Sequence, residues 1–201
     1  MKTFIKGFLP YFCFIILIFT VFSSSAQSKA NADICSHVLR FHILASSDSP
    51  DDQQAKYLIR DNLSPVLSEI FKGCRNMDEA ISLAEKNKGF IEECANGVLD
   101  EVGNKDRATL LIGKEKYPEK IYGTLVFPAG EYLSARLVIG SGKGQNWWCV
   151  MFPTLLGSGV EEYPEILEDG GIKKSQVEKM KKGSVDIFGT TVKLKFLEYF
   201  T

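Results

Sequence analysis

The sequence lacks the usual signatures of metal, hydrolase and nucleic-acid sites. It has two histidines, and its five cysteines include no Cys-x-x-Cys pair. Together with the absence of a His-Glu-x-x-His run, this excludes the common zinc sites. No Gly-x-Ser-x-Gly nucleophile turn occurs either. The formal net charge of −1 gives no support to nucleic-acid binding. We therefore expect no metal, no small-molecule cofactor, no nucleic-acid partner and no catalytic residue.

The N-terminus has the pattern of an export signal. Lys2 and Lys6 precede an uncharged, mostly apolar run over residues 8–22, and small residues follow up to Ala26. This order predicts a signal peptide over residues 1–26. The alternative is a retained anchor, because residues 7–28 carry no charge. Either way we expect export, with one domain over residues 35–201.

The four cysteines that follow the predicted signal peptide permit two interpretations. Outside the cytoplasm they can form two disulfides in any of three pairings, which the sequence does not distinguish. In a domain of this size they can equally be packed thiols. The four residues are Cys35, Cys74, Cys94 and Cys149.

The first half of the domain predicts one strand followed by helices. Residues 38–45 are typical of a strand, and Ser49 and Pro50 form a helix N-terminus. Apolar spacing predicts a helix from Pro50 that Pro65 kinks or divides near Ser64.

A second helix is predicted from Asn76, where Glu79 completes a capping box, to about Lys88. Gly89 is expected to end it, and a third helix follows over residues 90–101.

The second half predicts strands. Pro128-Ala-Gly130 is expected to join two of them in a hairpin. A short helix over residues 175–182 and a terminal strand over residues 185–199 complete the pattern. The predicted fold is α+β, a mostly antiparallel sheet with two or three helices packed on one face. The other predicted strands span residues 108–112, 121–127, 132–139 and 146–152.

Trp147 and Trp148 are adjacent in one of these strands. Successive strand residues point to opposite faces, so the two rings cannot share one side. One ring can fill a core, and the other must meet a covering element, solvent or a partner.

Polar residues concentrate where the first strand meets the first helix. Asp52, Lys56 and Arg60 are spaced four apart, which predicts a charge ladder along one helix face. Arg40 and His42 are two apart and share one sheet face. A specific polar contact at this junction is one interpretation, and a solvated helix face is the other.

These residues, in order and spacing, resemble the stage II sporulation protein R family. The resemblance covers about residues 38–155. It rests on the polar residues of the junction, on Phe127-Pro-Ala-Gly-Glu-Tyr132, and on Gly144-Gln-Asn-Trp-Trp-Cys-Val-Met-Phe-Pro153. The residues expected to contact a partner are Arg40, His42, Asp48, Ser49, Asp52, Gln53, Lys56, Arg60, Asp61, Asn146, Trp147, Trp148, Phe152 and Pro153.

The resemblance implies a signalling protein. Family members are exported from the forespore into the space between two membranes. There they activate a membrane-embedded aspartic protease of the mother cell that processes the precursor of sigma factor E. Two positions depart from the family pattern: Ser46 replaces an asparagine, and Thr154-Leu-Leu156 replaces a Pro-Leu-Cys run.

A second class of function remains open at this stage. An exported hydrolase or cell-wall-modifying enzyme would use a carboxylate, Asp48 or Asp52, with His42 as its partner. A carboxylate desolvated beside His42 would favour that class.

Overall fold

A computed structural model describes residues 29–156, 159–181, 184–187 and 190–193. The predicted signal peptide and the alternative anchor over residues 7–28 lie outside the described residues. The strands are β1 (Leu39–Leu44), β2 (Ala108–Tyr117), β3 (Lys120–Tyr122), β4 (Leu125–Phe127), β5 (Gly130–Ile139), β6 (Asn146–Phe152), β7 (Ser184–Ile187) and β8 (Thr190–Lys193). The helices are α1 (residues 29–36), α2 (Pro50–Ile70), α3 (Met77–Lys86), α4 (Lys88–Glu101), α5 (Tyr163–Asp169) and α6 (Lys174–Met180).

β1 lies inside a four-stranded sheet of order β2-β5-β1-β6. β6 pairs antiparallel with β1, and β2 pairs antiparallel with β5. β5 runs parallel to β1, which requires a long connection, and the helices together with β2 supply it. The α+β class and the mostly antiparallel sheet are confirmed.

Three helices cover one face of this sheet, as predicted. Phe41 and Ile43 of β1 point into the larger hydrophobic cluster, where they join Ile59 and Leu63 of α2 and Ile91 of α4. All five side chains are fully or almost fully buried. Burial of one such side chain contributes about 1.5–3 kcal/mol, so this layer supplies much of the driving force for folding.

The opposite face is covered at one end by a second layer that the sequence did not predict. A second hydrophobic cluster combines Ile34 of α1, Leu125 and Phe127 of β4, Leu167 of α5 and Val177 of α6. Only part of this sheet face is reached by that layer. The remainder forms the open surface described below.

Two predicted helix boundaries, a division near Pro65 and an end at Gly89, are wrong. α2 continues through Pro65 without division, because Leu63 and Leu67 hold both sides of the proline in the core. Gly89 lies inside α4, and the break falls at Asn87, whose side chain donates to the Leu83 carbonyl at 2.8 Å. Tertiary packing offsets the local cost of both residues.

The predicted hairpin across Pro128-Ala-Gly130 is also wrong. β5 pairs with β2 over ten residue pairs and with β1, whereas β4 pairs with β3 around a turn at Gly123. In the described part of the predicted strand 185–199, β7 and β8 pair with each other, and residues 194–199 lie outside the described residues.

The short helix predicted over residues 175–182 is present as α6. The helix before it, α5, was not predicted. Among the residues that the structure describes, no helix combines the length and apolar character needed to cross a bilayer.

Candidate functional site

The β1–α2 junction and the turn before β6 are bonded to each other. The Gln145 backbone N–H donates to the Asp48 carboxylate at 2.8 Å. Gly144 N–H donates to the Ala45 carbonyl at 2.9 Å, and Lys143 N–H donates to the Ser46 carbonyl at 3.2 Å. The structure therefore brings the predicted polar junction alongside the tryptophan-bearing strand.

Most of the junction side chains organise this contact. The Ser49 hydroxyl accepts from the Asp52 N–H at 3.2 Å and caps α2, as predicted. The Asp52 carboxylate accepts the Ser47 hydroxyl, and Gln53 Nε2 donates to the Ser47 carbonyl at 2.8 Å. Asp48 and Ser49 remain exposed.

The predicted charge ladder along α2 is wrong. Lys56 is buried, and its ammonium donates to Gln53 Oε1 at 2.6 Å and to the Gln145 carbonyl at 3.0 Å. Burial lowers the pKa of Lys56, and the nearby charge of Asp48 opposes that shift. Lys56 thus ties α2 to the turn before β6 instead of pairing with Asp52.

His42 lies almost fully buried between side chains from three other strands. Its ring stacks on Trp148, with centroids 4.7 Å apart. Nδ1 lies 3.1 Å from Asn146 Oδ1, and Nε2 lies 2.9 Å from Glu115 Oε2. Burial lowers the pKa of His42, and the charge of Glu115 acts in the opposite direction. The ring is therefore held in position with both nitrogens occupied.

Arg40 is fully buried in a cage of aromatic rings. Its guanidinium lies 4.6 Å from the centroid of Tyr117, 5.3 Å from that of Tyr122 and 5.0 Å from that of Tyr132. One nitrogen donates to Tyr122 Oη at 3.0 Å, while Nε and the other terminal nitrogen have no hydrogen-bond partner within the described part of the chain. Cation–π attraction stabilises the charge, and the role of Arg40 is to organise this layer.

The two tryptophans face opposite sides of the sheet, as predicted from strand alternation. Trp147 packs against the larger cluster, edge-to-face with Phe41 at 6.4 Å. Trp148 packs against the second cluster and stacks on His42. Both rings are half-buried, so each is covered on one side and accessible at its rim.

An exposed aromatic residue adjoins Trp147. The Arg60 guanidinium lies 5.0 Å from the Tyr57 ring and 6.0 Å from the Trp147 ring. Arg60 Nε also donates to Asp61 Oδ1 at 2.6 Å. Tyr57, Arg60 and Asp61 form an accessible polar and aromatic surface beside β6.

Phe152 does not belong to any surface, because it is buried in the core. Pro153 is packed against the backbone of Gly170, where a Cβ would lie 1.9 Å from the proline ring. For these two residues the structure shows a packing role, which corrects their assignment as exposed contacts.

The four described cysteines are free thiols, so the disulfide interpretation is not supported. Burial raises the pKa of Cys149 to about 11, and it also raises the pKa values of Cys35, Cys74 and Cys94. No group of His, Cys, Asp and Glu side chains within the described ranges has the arrangement of a metal site.

Sequence reasoning missed the partners of His42 on the sheet face. Glu115 and Tyr117 lie in β2, which was predicted to end at residue 112. Arg136 of β5 donates to Glu115 Oε1 at 3.2 Å, and Lys120 lies 4.8 Å from the Trp148 ring. The charged residues 114–116 lack the apolar alternation that predicts a strand. Only the pairing of β2 with β5 shows that β2 continues through them.

Beyond these residues, the sheet face carries three aliphatic side chains, and the turn at Gly142 lies against two of them, Leu44 and Val138. Leu44 and Val138 are register partners on β1 and β5, and Leu111 is the register partner of Arg136. Neither hydrophobic cluster of the described chain includes these three aliphatic side chains. We call this surface the open sheet face and define it by Leu44, Leu111, Arg136, Val138 and Trp148.

The fold and site define an α+β domain in which polar side chains hold an aromatic surface in place. The chain belongs to the stage II sporulation protein R family, whose model matches residues 35–161. That match contains the junction, the open sheet face and both tryptophans, so the resemblance deduced from the sequence is confirmed.

One curated relative is the stage II sporulation protein R of Bacillus subtilis (strain 168). It is 33% identical over 164 residues, which cover 78% of this chain and 71% of that protein. No solved structure matches this chain. A role in sporulation follows from the family.

Proposed function

We propose that this chain is an exported signal of sporulation that activates a membrane-embedded aspartic protease of the mother cell. The protease then processes the precursor of sigma factor E. In this proposal the chain leaves the forespore, enters the intermembrane space and acts by contact, without making or breaking a bond itself.

One observation carries this proposal beyond family membership. The junction and the tryptophan strand, which are far apart in sequence, lie side by side through the bond between Gln145 N–H and Asp48. Aromatic and arginine side chains commonly dominate binding free energy, and Trp147, Trp148, Tyr57 and Arg60 are all partly accessible here. A contact surface of this composition suits a protein ligand.

The site residues divide into two roles. Arg40, His42 and Lys56 are buried and would support the surface without touching a partner. Exposed or half-buried residues would make the contact. They are Asp48, Ser49, Asp52, Gln53, Arg60, Asp61, Asn146, Trp147 and Trp148.

The hydrolase alternative has one feature in its favour, a carboxylate beside His42. That carboxylate is Glu115, which is ion-paired with Arg136, and neither Asp48 nor Asp52 bonds His42. His42 is 1% exposed, and both its nitrogens are occupied, so a substrate cannot reach them without a rearrangement. The geometry favours binding over acid–base chemistry.

Co-expression tests the proposal directly. The full chain, the protease and the sigma precursor are produced together in non-sporulating cells, and precursor cleavage is followed by immunoblotting. Cleavage is expected only when all three are present. Cleavage that proceeds equally without this chain would reject the proposal.

Export is tested separately. The full chain and a variant lacking residues 1–28 are compared in sporulating cells by fractionation and by precursor processing. The variant is expected to remain in the forespore cytoplasm and to support no processing. Full processing with the truncated chain would contradict the exported location.

A further inference from the structure

The open sheet face contains a continuous row of residues across all four strands. Register pairs join Leu111 to Arg136, Arg136 to His42, and His42 to Trp148. Leu111 is 42% exposed and the Arg136 side chain is 38% exposed, whereas His42, next to Arg136 in the row, is buried. The end of the row formed by Leu111 and Arg136 therefore presents an accessible apolar and cationic surface.

The charges along this surface are mostly positive. Glu115 is committed to both His42 and Arg136. Arg136 uses one terminal nitrogen for that bond, and its guanidinium makes no other hydrogen bond among the described residues, so further N–H donors remain available. Lys120 lies over Trp148 and has no carboxylate partner among the residues that the structure describes. The row thus contains one cation, Arg136, and a second cation, Lys120, lies over Trp148, whereas the carboxylate of Glu115 is already paired.

This charge arrangement indicates what can cover the face. The exposed Leu111, together with the half-buried Leu44 and Val138, favours apolar side chains of a partner. Arg136 within the row and Lys120 over Trp148 favour a carboxylate, since an arginine with free donors binds carboxylates in a bidentate manner. A basic partner would meet like charges and lose affinity.

We propose that the open sheet face is the docking site for an acidic segment of the partner protease, one that carries apolar side chains next to a carboxylate. This inference rests on the proposed function and adds a second contact surface, on the sheet face opposite to the one that carries Trp147. The apolar side chains lie on Leu44, Leu111 and Val138, and the carboxylate pairs with Arg136.

Leu111 offers a matched test of charge at one position. In Leu111→Glu the new carboxylate lies opposite Arg136 and occupies its free donors, and a cross-strand pair of opposite charges is compatible with the sheet. Leu111→Lys removes the same apolar contact but keeps the surface positive. Phe90→Glu, at an exposed phenylalanine of α4, controls for a new charge elsewhere.

The variants are compared in the full chain, co-expressed with the protease and the sigma precursor. Leu111→Glu is expected to lower precursor processing by roughly tenfold, and Arg136→Gln by a similar factor. Leu111→Lys should lose no more than about threefold, and Phe90→Glu should match the wild type. Urea unfolding of each purified variant verifies that the fold is retained.

Other outcomes overturn the proposal. Equal losses from Leu111→Glu and Leu111→Lys reject an acidic occupant, and normal processing by Leu111→Glu rejects docking at this face. A wild-type dimer that Leu111→Glu converts to a monomer identifies a second copy of the chain as the occupant. If the wild type itself gives no processing, the proposed function fails and the docking proposal fails with it. Normal wild-type processing with an active Leu111→Glu variant rejects the docking alone.

Discussion

At the scale of single residues, His42 shows how neighbours decide the role of a side chain. From the sequence it was a candidate base, because a histidine beside carboxylates is typical of catalytic sites. In the fold its ring stacks on Trp148 and forms hydrogen bonds with Asn146 and Glu115. The residue holds three strands together, and its titration becomes a matter of stability.

His42 makes stability pH-dependent. Burial lowers its pKa in the folded state below the ordinary 6.5, so below that pH the unfolded chain binds more protons. The free energy of unfolding should therefore fall as the pH drops through about 6.5. Urea unfolding at about pH 7.5 and about pH 5 is expected to show a smaller difference for His42→Gln than for the wild type. Equal differences in the two proteins would contradict this origin.

Substitution of Asp48 distinguishes a residue that contacts a partner from a catalytic acid. Asp48→Asn keeps an oxygen that can accept from Gln145 N–H, whereas Asp48→Ala does not. We expect Asp48→Ala to cost about 1 kcal/mol in the free energy of unfolding and Asp48→Asn to cost less. Precursor processing should decline only partially in Asp48→Asn. Complete loss of processing in a folded Asp48→Asn protein would support a catalytic carboxylate.

At the scale of elements, the turn before β6 is built around the close approach of two backbones. A Cβ at Gly144 would lie 2.3 Å from the Ser47 carbonyl oxygen, which cannot move away as a flexible side chain would. The same approach permits the bonds from Gly144 N–H to Ala45 and from Lys143 N–H to Ser46. Glycine here sets the distance between the junction and the tryptophan strand.

Gly144→Ala should therefore weaken the fold. We expect a loss of about 1–3 kcal/mol in the free energy of unfolding, since the added methyl group must displace the Ser47 backbone. Gly97→Ala is the matched control, because Gly97 lies in α4 with nothing within 4 Å of a new Cβ. That change should stabilise the protein by about 0.5–1 kcal/mol. A neutral Gly144→Ala variant would show that the turn is not constrained in this way.

At the scale of the whole molecule, two packed layers make covalent cross-links unnecessary. Each hydrophobic cluster lies against one face of the same sheet, and Cys35 and Cys149 are buried within them as thiols. A domain with cores of this size is held by packing. Each of these two cysteines acts as a small apolar residue.

Thiol labelling tests that conclusion residue by residue. Without reductant, iodoacetamide should modify all four described cysteines after unfolding, as seen by mass spectrometry. In the folded protein Cys74 and Cys94 should react before the buried Cys35 and Cys149, because access controls the rate. Addition of reductant should leave the unfolding midpoint unchanged. A cysteine peptide that labels only after reduction would demonstrate a disulfide.

Local patterns predicted much of this fold. The cap at Ser49, the alternation of Trp147 and Trp148 and the helix from Asn76 are short-range features, set by hydrogen bonds and strand geometry within a few residues. Each is found where it was predicted. The failures at Pro65 and Gly89 share one cause, because burial against the sheet outweighs a residue's intrinsic preference.

The sequence by itself determined the family, the α+β class and the two segments of the candidate site, since each is recorded in nearby residues. Only the tertiary structure decided that Lys56 and Arg40 are buried supports, that Glu115 is the partner of His42, and that part of one sheet face lies outside both hydrophobic clusters. The pairing of β5 with β1 joins residues that are about a hundred positions apart in the sequence. The pairing of β5 with β2 joins residues that are about twenty positions apart. Such contacts depend on which surfaces exclude the most water together, and no local spacing encodes that choice.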